Sequence, residues 1–388
     1  MAKNSSLTNA RKSKNDEFYT VYEFIQKEVN AYLEFNPSIF KDKTILLPCD
    51  DPEWSNFTKF FAQNFESFGI KKLISTSYAI ESKQFKNGYQ LTMFETSSPQ
   101  YDMDKSLTHG KIFTLERDIN DSGKVDIEDL QWSYLEGDGD FRSDEVKALR
   151  DEADIIITNP PFSLFREFMT WAFEKKKQLL IIGSQNAITY KEIFPLIQKN
   201  ELWLGVSCND EDMVFGVPDG VEIKATDKDK AAKLGYKGNF TRLGNACWFT
   251  NIEHGRRHQP LSLMTLKDNL KFSKHKTILQ DGYCQYLNYS NCIEVPFVDS
   301  IPSDYDGLMG VPITFISKYC PEQFEIVGSI DADILPDGWK GITNDFVKIY
   351  YEQGNTGSIR EGNRLANYID GSGNAVVPYK RILIRRKK

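Results

Sequence analysis

The chain has 388 residues, a hydrophobic fraction of 40% and a formal net charge of −7. This length supports two domains, or one large domain with insertions, and the negative charge excludes a uniformly basic nucleic-acid coat. No run of about 18 apolar residues could span a membrane, and the cysteines and histidines lack metal-ligand spacing. We therefore expect a cytoplasmic protein with reduced thiols and no metal.

Both ends of the chain are basic. Residues 1–15 contain lysine and arginine but no acid, and they are predicted to form a flexible arm. The last ten residues also lack acids. Basic ends of this kind contact phosphates in some proteins and only improve solubility in others, and both interpretations stay open for the amino terminus.

The first half of the chain alternates between helix and strand patterns. An amphipathic helix is predicted from residue 16, with apolar side chains at helical spacing: Tyr22, Ile25, Val29 and Leu33. A strand at 43–47 leads through a loop at 48–54 to a helix capped by Ser55, and the next strand is 72–78. This alternation predicts an α/β fold with a doubly wound, mostly parallel, Rossmann-like sheet.

An acidic stretch interrupts this alternation. Residues 80–135 are less regular and are predicted to form an insertion or a hairpin-rich excursion. Residues 100–154 contain 16 acidic and 7 basic side chains, so this part of the chain carries a local charge of −9. A turn at 137–142 and a short helix at 143–152 end the stretch.

A strand that ends in Asn-Pro-Pro-Phe is the most informative segment. The β-branched run at 155–158 predicts a buried strand, and Asn159, Pro160, Pro161 and Phe162 follow it. Proline cannot continue a sheet ladder, so the chain leaves the sheet in a stiff, extended form. An amide, carbonyls and an aromatic ring are then placed at the carboxyl end of a strand. They can hold an exocyclic amino group and stack on its ring, whereas the structural alternative is a plain turn with Phe162 in the core.

The remaining strands complete one domain, and the pattern of predicted elements changes after them. A helix follows the Asn-Pro-Pro-Phe segment, and strands are predicted at 178–183, 201–206 and 245–250. After about residue 255 strand and helix no longer alternate, which indicates an additional α+β region. We therefore divide the chain into a basic arm at 1–15, an α/β domain at 16–255 and an α+β region at 256–388.

Three loops at strand ends favour one ligand. They are Asp50-Asp51-Pro52, Asp138-Gly139-Asp140-Phe141 and Asn159-Pro160-Pro161-Phe162. The carboxyl ends of parallel strands face one crevice, where acidic groups suit an ammonium, a ribose and an adenine amine. The start of the helix near Ser55 suits a carboxylate. S-adenosylmethionine carries all four groups, although Asp and Gly are also ordinary turn residues.

Several blocks of the chain resemble a known family in order. They are Lys14-Asn15-Asp16-Glu17-Phe18-Tyr19-Thr20, Cys49-Asp50-Asp51-Pro52, Gly137-Asp138-Gly139-Asp140-Phe141-Arg142-Ser143, Asn159-Pro160-Pro161-Phe162-Ser163-Leu164-Phe165, Gly310-Val311-Pro312-Ile313-Thr314-Phe315 and Pro321-Glu322-Gln323-Phe324-Glu325-Ile326. Together they resemble the EcoRI-type adenine-specific DNA methyltransferases, from the amino terminus to about residue 328. The resemblance implies a class I methyltransferase fold that uses S-adenosylmethionine to methylate adenine N6 in double-stranded DNA. It also implies that 16–255 is the catalytic domain and that 256–388 is the target-recognition region, which binds DNA.

The resemblance also implies roles for individual residues. The catalytic residues would be Asn159, Pro160, Pro161 and Phe162. The residues that bind the methyl donor would be Phe18, Tyr19, Thr20, Asp50, Asp51, Asp140 and Phe141. Two departures from the family pattern leave the donor contacts incomplete. The first loop lacks a glycine-rich turn, and the strand that ends at Ser77-Tyr78 lacks the acid that usually binds the ribose, with Glu81 the nearest substitute.

DNA contacts are expected from basic residues, although each could equally be solvated surface charge. The candidates are Lys12, Lys14, Arg256, Arg257, Arg381, Arg385 and Arg386. The target base would leave the helix stack, and one chain would be sufficient for transfer of one methyl group. We therefore expect a monomer that acts on duplex DNA, with a cognate restriction endonuclease as a potential companion.

Two alternatives stay open. RNA and protein-glutamine methyltransferases use similar Asn-Pro-Pro-aromatic loops, because any planar amino group fits the same acceptors. A DNA-binding relative without catalytic activity is the other alternative, although the intact Asn159 argues against it. The recognition sequence cannot be read from these patterns.

Overall fold

The computed structural model describes residues 18–50, 55–79, 96, 98–208, 212–217 and 223–387. The chain divides into two compact units. The first unit extends to Gln185 and also includes Leu204–His254, and the second contains Asn186–Trp203 and the residues from Gly255 onward. The segment Asn186–Trp203, which the sequence places in the catalytic domain, is therefore part of the second unit. The predicted arm at 1–15 lies outside the described residues.

The elements up to residue 254 follow the alternation expected from the sequence. The strands are β1 (Tyr19–Thr20), β2 (Thr44–Leu47), β3 (Lys72–Ser77), β4 (Lys111–Leu115), β5 (Gln131–Tyr134), β6 (Ile155–Thr158), β7 (Gln178–Ser184), β8 (Trp203–Leu204), β9 (Met213–Gly216), β10 (Phe240–Leu243) and β11 (Ala246–Thr250). The helices are α1 (Tyr22–Phe35), α2 (Asn56–Gln63), α3 (Met103–Thr108), α4 (Asp144–Glu152), α5 (Phe165–Phe173), α6 (Phe194–Gln198) and α7 (Ala225–Lys233).

The main sheet has the strand order β5-β4-β3-β2-β6-β7-β11-β8. Its centre, from β3 through β2 and β6 to β7, is parallel, whereas β4, β5 and β11 pair antiparallel with their neighbours. The predicted α/β fold with a mostly parallel core is thereby confirmed. The strand order reverses between β2 and β6, and the crevice outside such a reversal is where open α/β sheets bind ligands. A separate sheet in the same unit has the order β1-β9-β10.

The acidic excursion contributes to the main sheet. Strands β4 and β5 come from the region at 80–135 and extend the sheet beyond β3 as an antiparallel pair. The alternating burial of β4 is typical of a strand with one solvated face, which explains its weak apolar pattern. Residues 80–95 of this region lie outside the described residues.

Helices α1 and α2 supply the apolar face that covers the sheet. In α1 the side chains of Ile25 and Val29 are fully buried, as the helical spacing predicts, and Tyr22 and Leu33 are partly buried at the same core. In α2 three phenylalanines are buried, and Ser55 caps the helix by accepting a hydrogen bond from the Phe57 amide at 3.1 Å. These contacts position the start of α2 at the end of β2.

The second unit has a mixed α+β structure. Its later strands are β12 (Gln285–Tyr286), β13 (Tyr289–Glu294), β14 (Leu308–Pro312), β15 (Phe324–Ser329), β16 (Tyr368–Ile369), β17 (Ala375–Val376) and β18 (Arg381–Arg386), and its later helices are α8 (Leu266–Phe272), α9 (Lys276–Asp281) and α10 (Asn344–Glu352). One sheet has the order β12-β13-β14-β18-β15, and β16 pairs with β17. This mixed structure agrees with the sequence, in which strand and helix patterns stop alternating after about residue 255.

The described residues include no helix with the length and apolar character needed to cross a membrane. All six cysteines are free thiols.

Candidate active site

Strand β6 brings Asn159 to the carboxyl edge of the main sheet. All four residues of β6 are buried, and the strand lies between β2 and β7. Pro161, with φ −52° and ψ 125°, then leads into a short 3-10 turn at Phe162–Leu164, after which α5 begins. The two prolines therefore end the strand as predicted, and Asn159 lies at the reversal in strand order.

The Asn159 amide has a defined orientation. Its Nδ2 donates a hydrogen bond to the backbone carbonyl of Phe18 at 2.7 Å. A carbonyl can only accept, so the NH₂ group faces Phe18 and the oxygen points elsewhere. That oxygen, Oδ1, is buried and has no hydrogen-bond partner among the described residues. The site therefore contains a preoriented acceptor that no described residue engages.

Aromatic rings flank this acceptor. Phe162 is half-buried, and its ring centroid lies 6.0 Å from that of Phe18. The Phe18 ring also lies 6.0 Å from the ring of Phe215 in β9. Phe162 is thus part of an aromatic wall with Phe18 and Phe215, and it follows Asn159 by three residues.

The carboxylate of Asp50 is engaged within the protein. Asp50 is buried, with 6% of its surface exposed. Its Oδ1 accepts a hydrogen bond from the Ser55 hydroxyl at 2.7 Å, and its Oδ2 accepts one from the Thr158 hydroxyl at 2.7 Å. The donor-loop acid therefore links the start of α2 to the end of β6, a connection that the sequence did not indicate. Asp51 lies outside the described residues.

The segment Phe18–Thr20 lies against the same edge. Tyr19 and Thr20 form β1, which pairs with β9. The Asn56 amide donates a hydrogen bond to the Thr20 carbonyl at 2.8 Å. The segment predicted to close over the donor is therefore held by two asparagines, Asn56 at Thr20 and Asn159 at Phe18.

The turn at 137–142 lies on the end of β3 because of a glycine. Gly139 has φ +85°, and a Cβ at this position would overlap the Ser77 carbonyl. The Ala79 amide donates to the Asp138 carbonyl at 2.8 Å, which fixes the turn to the residues after β3. The Gly-Asp-Gly-Asp pattern thus has a steric cause, and it brings Asp140 to the edge of the sheet.

Asp140 and Phe141 differ in availability. Burial alone would raise the pKa of Asp140, but hydrogen bonds from the side chain and backbone of Arg142 outweigh it and hold the pKa below its usual value. The Phe141 ring is fully buried against Phe168 and Trp171. A donor contact by Phe141 would therefore have to use its backbone.

Tyr78 is a candidate that sequence reasoning missed. It follows β3, where the sequence lacks an acid, and its hydroxyl is buried next to the Phe141 backbone of the turn at 137–142. Burial raises the pKa of Tyr78, and the nearby Cys49 and Asp140 raise it further. A neutral phenol thus lies beside the predicted donor loops. Glu81, the substitute acid, lies outside the described residues.

The candidate phosphate contacts of the second unit have different environments. Arg257 is buried, with its guanidinium 3.7 Å from the ring centroid of Trp203. Arg381 is mostly buried and pairs with Glu294 at 2.7 Å. Arg256 is half-buried, whereas Arg385 and Arg386 are exposed on β18. The burial of Arg257 and Arg381 favours structural roles for both. Lys12 and Lys14 lie outside the described residues.

Within the described part of the chain, no group of three or more His, Cys, Asp or Glu side chains could hold a metal ion. The site is therefore described by amide, hydroxyl, carboxylate and aromatic groups.

Comparisons with known proteins agree with this geometry. The family model for the adenine-specific methyltransferase EcoRI matches residues 6–387. The chain is 39% identical over 327 residues to the type II methyltransferase M.EcoRI of Escherichia coli, covering 84% of this chain and 89% of the relative. It is 34% identical over 322 residues to M.MpnI of Mycoplasma pneumoniae, covering 83% of this chain and 84% of the relative. M.MgeORF184P of Mycoplasma genitalium is 31% identical over 372 residues, which cover 94% of this chain and 96% of that protein. No solved structure matches the chain.

Proposed function

We propose that this chain, which belongs to the EcoRI family of adenine-specific methyltransferases, methylates the N6 amino group of adenine in double-stranded DNA. The observation that carries the proposal is the buried Oδ1 of Asn159, which has no partner among the described residues and lies beside the aromatic wall of Phe162 and Phe18. An amino group on a planar ring is the substrate that uses both features.

The acceptor side of the reaction depends on hydrogen bonding. The N6 lone pair of adenine is delocalised into the ring, so the amine is a weak nucleophile. Asn159 Oδ1 and the Pro160 carbonyl would accept the two N6 hydrogens and stabilise the positive charge that develops on nitrogen. Because the Asn159 amide is already held by the Phe18 carbonyl, little reorganisation is needed during the reaction.

The base must reach this site from the duplex. Extrusion of a base from the stack costs a few kcal/mol. Stacking of the base on Phe162 would offset part of this cost, since such contacts contribute about 1–3 kcal/mol per base. Phe162 is half-buried, so its ring is already held by the core before a base arrives.

S-adenosylmethionine is the methyl donor in this proposal, and when bound it supplies an electrophilic methyl group on a sulfonium. The residues that would hold it lie at the carboxyl ends of β2 and β3 and in the turn at 137–142. The buried Tyr78 hydroxyl, which lies next to the Phe141 backbone, is a further polar group that suits a hydroxyl-rich nucleoside. The Phe18–Thr20 segment would cover the donor, and Asp51 and Asp140 are further candidates.

DNA binding is assigned to the exposed basic residues of the second unit, Arg385 and Arg386, with Arg256 as a further candidate. The relatives named above are type II methyltransferases, so protection of DNA from a cognate endonuclease is the biological role we propose. A monomer would be sufficient for this reaction.

A labelled-donor assay tests the proposal. The purified chain would be incubated with S-adenosylmethionine carrying a tritiated methyl group and with unmethylated DNA, RNA or protein. We expect label in DNA, and sequencing of DNA from an expressing host should show N6-methyladenine within one sequence. Transfer to RNA or protein glutamine would overturn the choice of acceptor. Binding of donor and DNA without any transfer would indicate a catalytically silent relative.

A further inference from the structure

We propose that Asp50 is a positioning residue that sets the place of Asn159 and of the Phe18–Thr20 segment together, and that its carboxylate acts through Ser55 and Thr158 rather than on the methyl donor. The inference rests on the proposed function for its kinetic consequences. Its structural basis is that each oxygen of the buried carboxylate accepts a hydrogen bond from a different hydroxyl.

The first connection extends from Asp50 to the catalytic amide. Thr158 is fully buried at the end of β6, and its hydroxyl donates to Asp50 Oδ2 at 2.7 Å. The next residue is Asn159, whose Nδ2 donates to the Phe18 carbonyl at 2.7 Å. The backbone from which the Asn159 side chain extends is therefore fixed by the Asp50 carboxylate.

The second connection has the same form. Ser55 donates its hydroxyl proton to Asp50 Oδ1 at 2.7 Å, and its Oγ also accepts from the Phe57 amide. The next residue is Asn56, whose amide donates to the Thr20 carbonyl at 2.8 Å. In each connection a hydroxyl residue bound to Asp50 precedes an asparagine that holds one carbonyl of the same short segment.

The two connections form a closed loop. It starts at Asp50, passes through Thr158 and Asn159 to Phe18, continues along the segment to Thr20, and returns through Asn56 and Ser55. A loop of this kind couples the acceptor oxygen to the segment proposed to cover the donor. Because a misplacement of about 1 Å can cost a hundredfold in rate, this coupling matters most for the chemical step.

A positioning role for Asp50 and a direct contact between Asp50 and the methyl donor predict different kinetic effects. If Asp50 positions Asn159, removal of the Thr158 hydroxyl should lower kcat while the KM for the donor changes little. If Asp50 instead binds the donor directly, Asp50→Asn should raise the donor KM, and Thr158→Val should leave kcat unchanged. The second pattern would overturn the proposal.

The test compares Thr158→Val with Thr158→Ser in the full chain. Valine has the shape of threonine without the hydroxyl, whereas serine keeps the hydroxyl. We expect kcat to fall at least about tenfold in the valine variant, and to stay within about twofold of wild type in the serine variant, because even a small displacement of the acceptor is costly. Equal losses in both variants would show that packing, not the hydrogen bond, is responsible, and would overturn the proposal.

A second pair of variants and a measurement of hydrogen exchange keep the proposal testable if the Thr158 variants do not fold. Ser55→Ala and Ser55→Thr address the other connection if the Thr158 variants fail to fold. Hydrogen exchange of the Asn159 side-chain amide, followed by NMR, should be faster in Thr158→Val than in wild type, and unchanged exchange would overturn the proposal. This readout needs no turnover. Failure of wild-type methylation would therefore reject the proposed function, whereas unchanged amide exchange would reject only the positioning role.

Discussion

Two buried polar clusters, one in each unit, differ in how completely their groups are satisfied. In the second unit Arg381 donates to both carboxylate oxygens of Glu294, and the Tyr286 hydroxyl donates to the same carboxylate at 2.5 Å. In the first unit Asp50 is equally engaged, but the adjacent Asn159 keeps a buried oxygen without a partner among the described residues.

The difference separates a structural cluster from a site prepared for a ligand. An unsatisfied buried acceptor costs about 1–3 kcal/mol, and such a cost calls for an explanation where the acceptor faces a ligand crevice. Pairing with Glu294 raises the pKa of Arg381, although burial alone would lower it. The second cluster therefore has its charges matched internally, whereas the first keeps a buried acceptor that no described residue engages.

The largest effect is expected from Arg381→Met, which removes the cation from the cluster of Arg381, Glu294 and Tyr286. The change leaves the Glu294 carboxylate buried without its cation, and such losses cost about 3–5 kcal/mol in the free energy of unfolding. Urea denaturation of the full chain measures the effect. The matched control is Arg385→Met on the same strand, where the exposed pair with Glu325 at 3.7 Å should contribute less than about 1 kcal/mol. Equal losses in both variants would contradict the assignment.

Asn159→Ala removes the buried acceptor oxygen of the first unit and should lower kcat rather than the free energy of unfolding. Loss of one preorganised hydrogen-bonding group costs about 10²–10³-fold in kcat, so methylation should nearly disappear while donor binding persists. The control is Asn64→Ala, which removes an amide that likewise donates to a backbone carbonyl, that of Phe60 at 2.8 Å, but that lies outside the loop through Asp50. A methylation assay measures the turnover, and titration with the donor measures donor binding. Near-normal turnover in Asn159→Ala would reject the catalytic role of Asn159.

Phe162→Ala should have an intermediate effect. Loss of stacking on an extruded base is expected to remove about 1–3 kcal/mol of interaction, and kcat/KM for DNA should fall about tenfold to a hundredfold. Phe162→Tyr keeps the ring and serves as the control. Fluorescence of 2-aminopurine at the target position reports the environment of the base. A signal from Phe162→Ala that matches wild type would remove the ring from the base contact.

The smallest effect is expected from replacing Arg385 and Arg386 together by glutamine. If both contact phosphates, the slope of log affinity against log salt should decrease by about 1.8 in magnitude, since each contact contributes about 0.9. Glutamine at Arg360 and Arg364, two exposed arginines of the same unit, controls for charge alone. A slope that changes equally in both double variants would indicate a general charge effect rather than direct contacts.

Local sequence patterns predicted most of the central strands and helices and the Asn-Pro-Pro-Phe loop. The β-branched run and the two prolines predicted β6 and its end, and the helical spacing of apolar residues predicted the buried faces of α1 and α2. These inferences succeed because periodicity and proline geometry are local properties. The family resemblance located Asn159, and the comparisons confirmed the family.

The hydrogen-bond partners of the buried polar groups depend instead on the packing of distant parts of the chain. Glu28 carries an ionisable side chain, yet it is fully buried in α1 and accepts from the Val206 amide at 2.7 Å. Asp50 resembles a donor ligand but binds two hydroxyls of the chain, 5 and 108 residues away. The orientation of the Asn159 oxygen, which has no partner among the described residues, follows from a hydrogen bond to Phe18, 141 residues earlier. Hydrogen bonds between residues so distant in sequence leave no local pattern, so their partners depend on how the strands and helices pack.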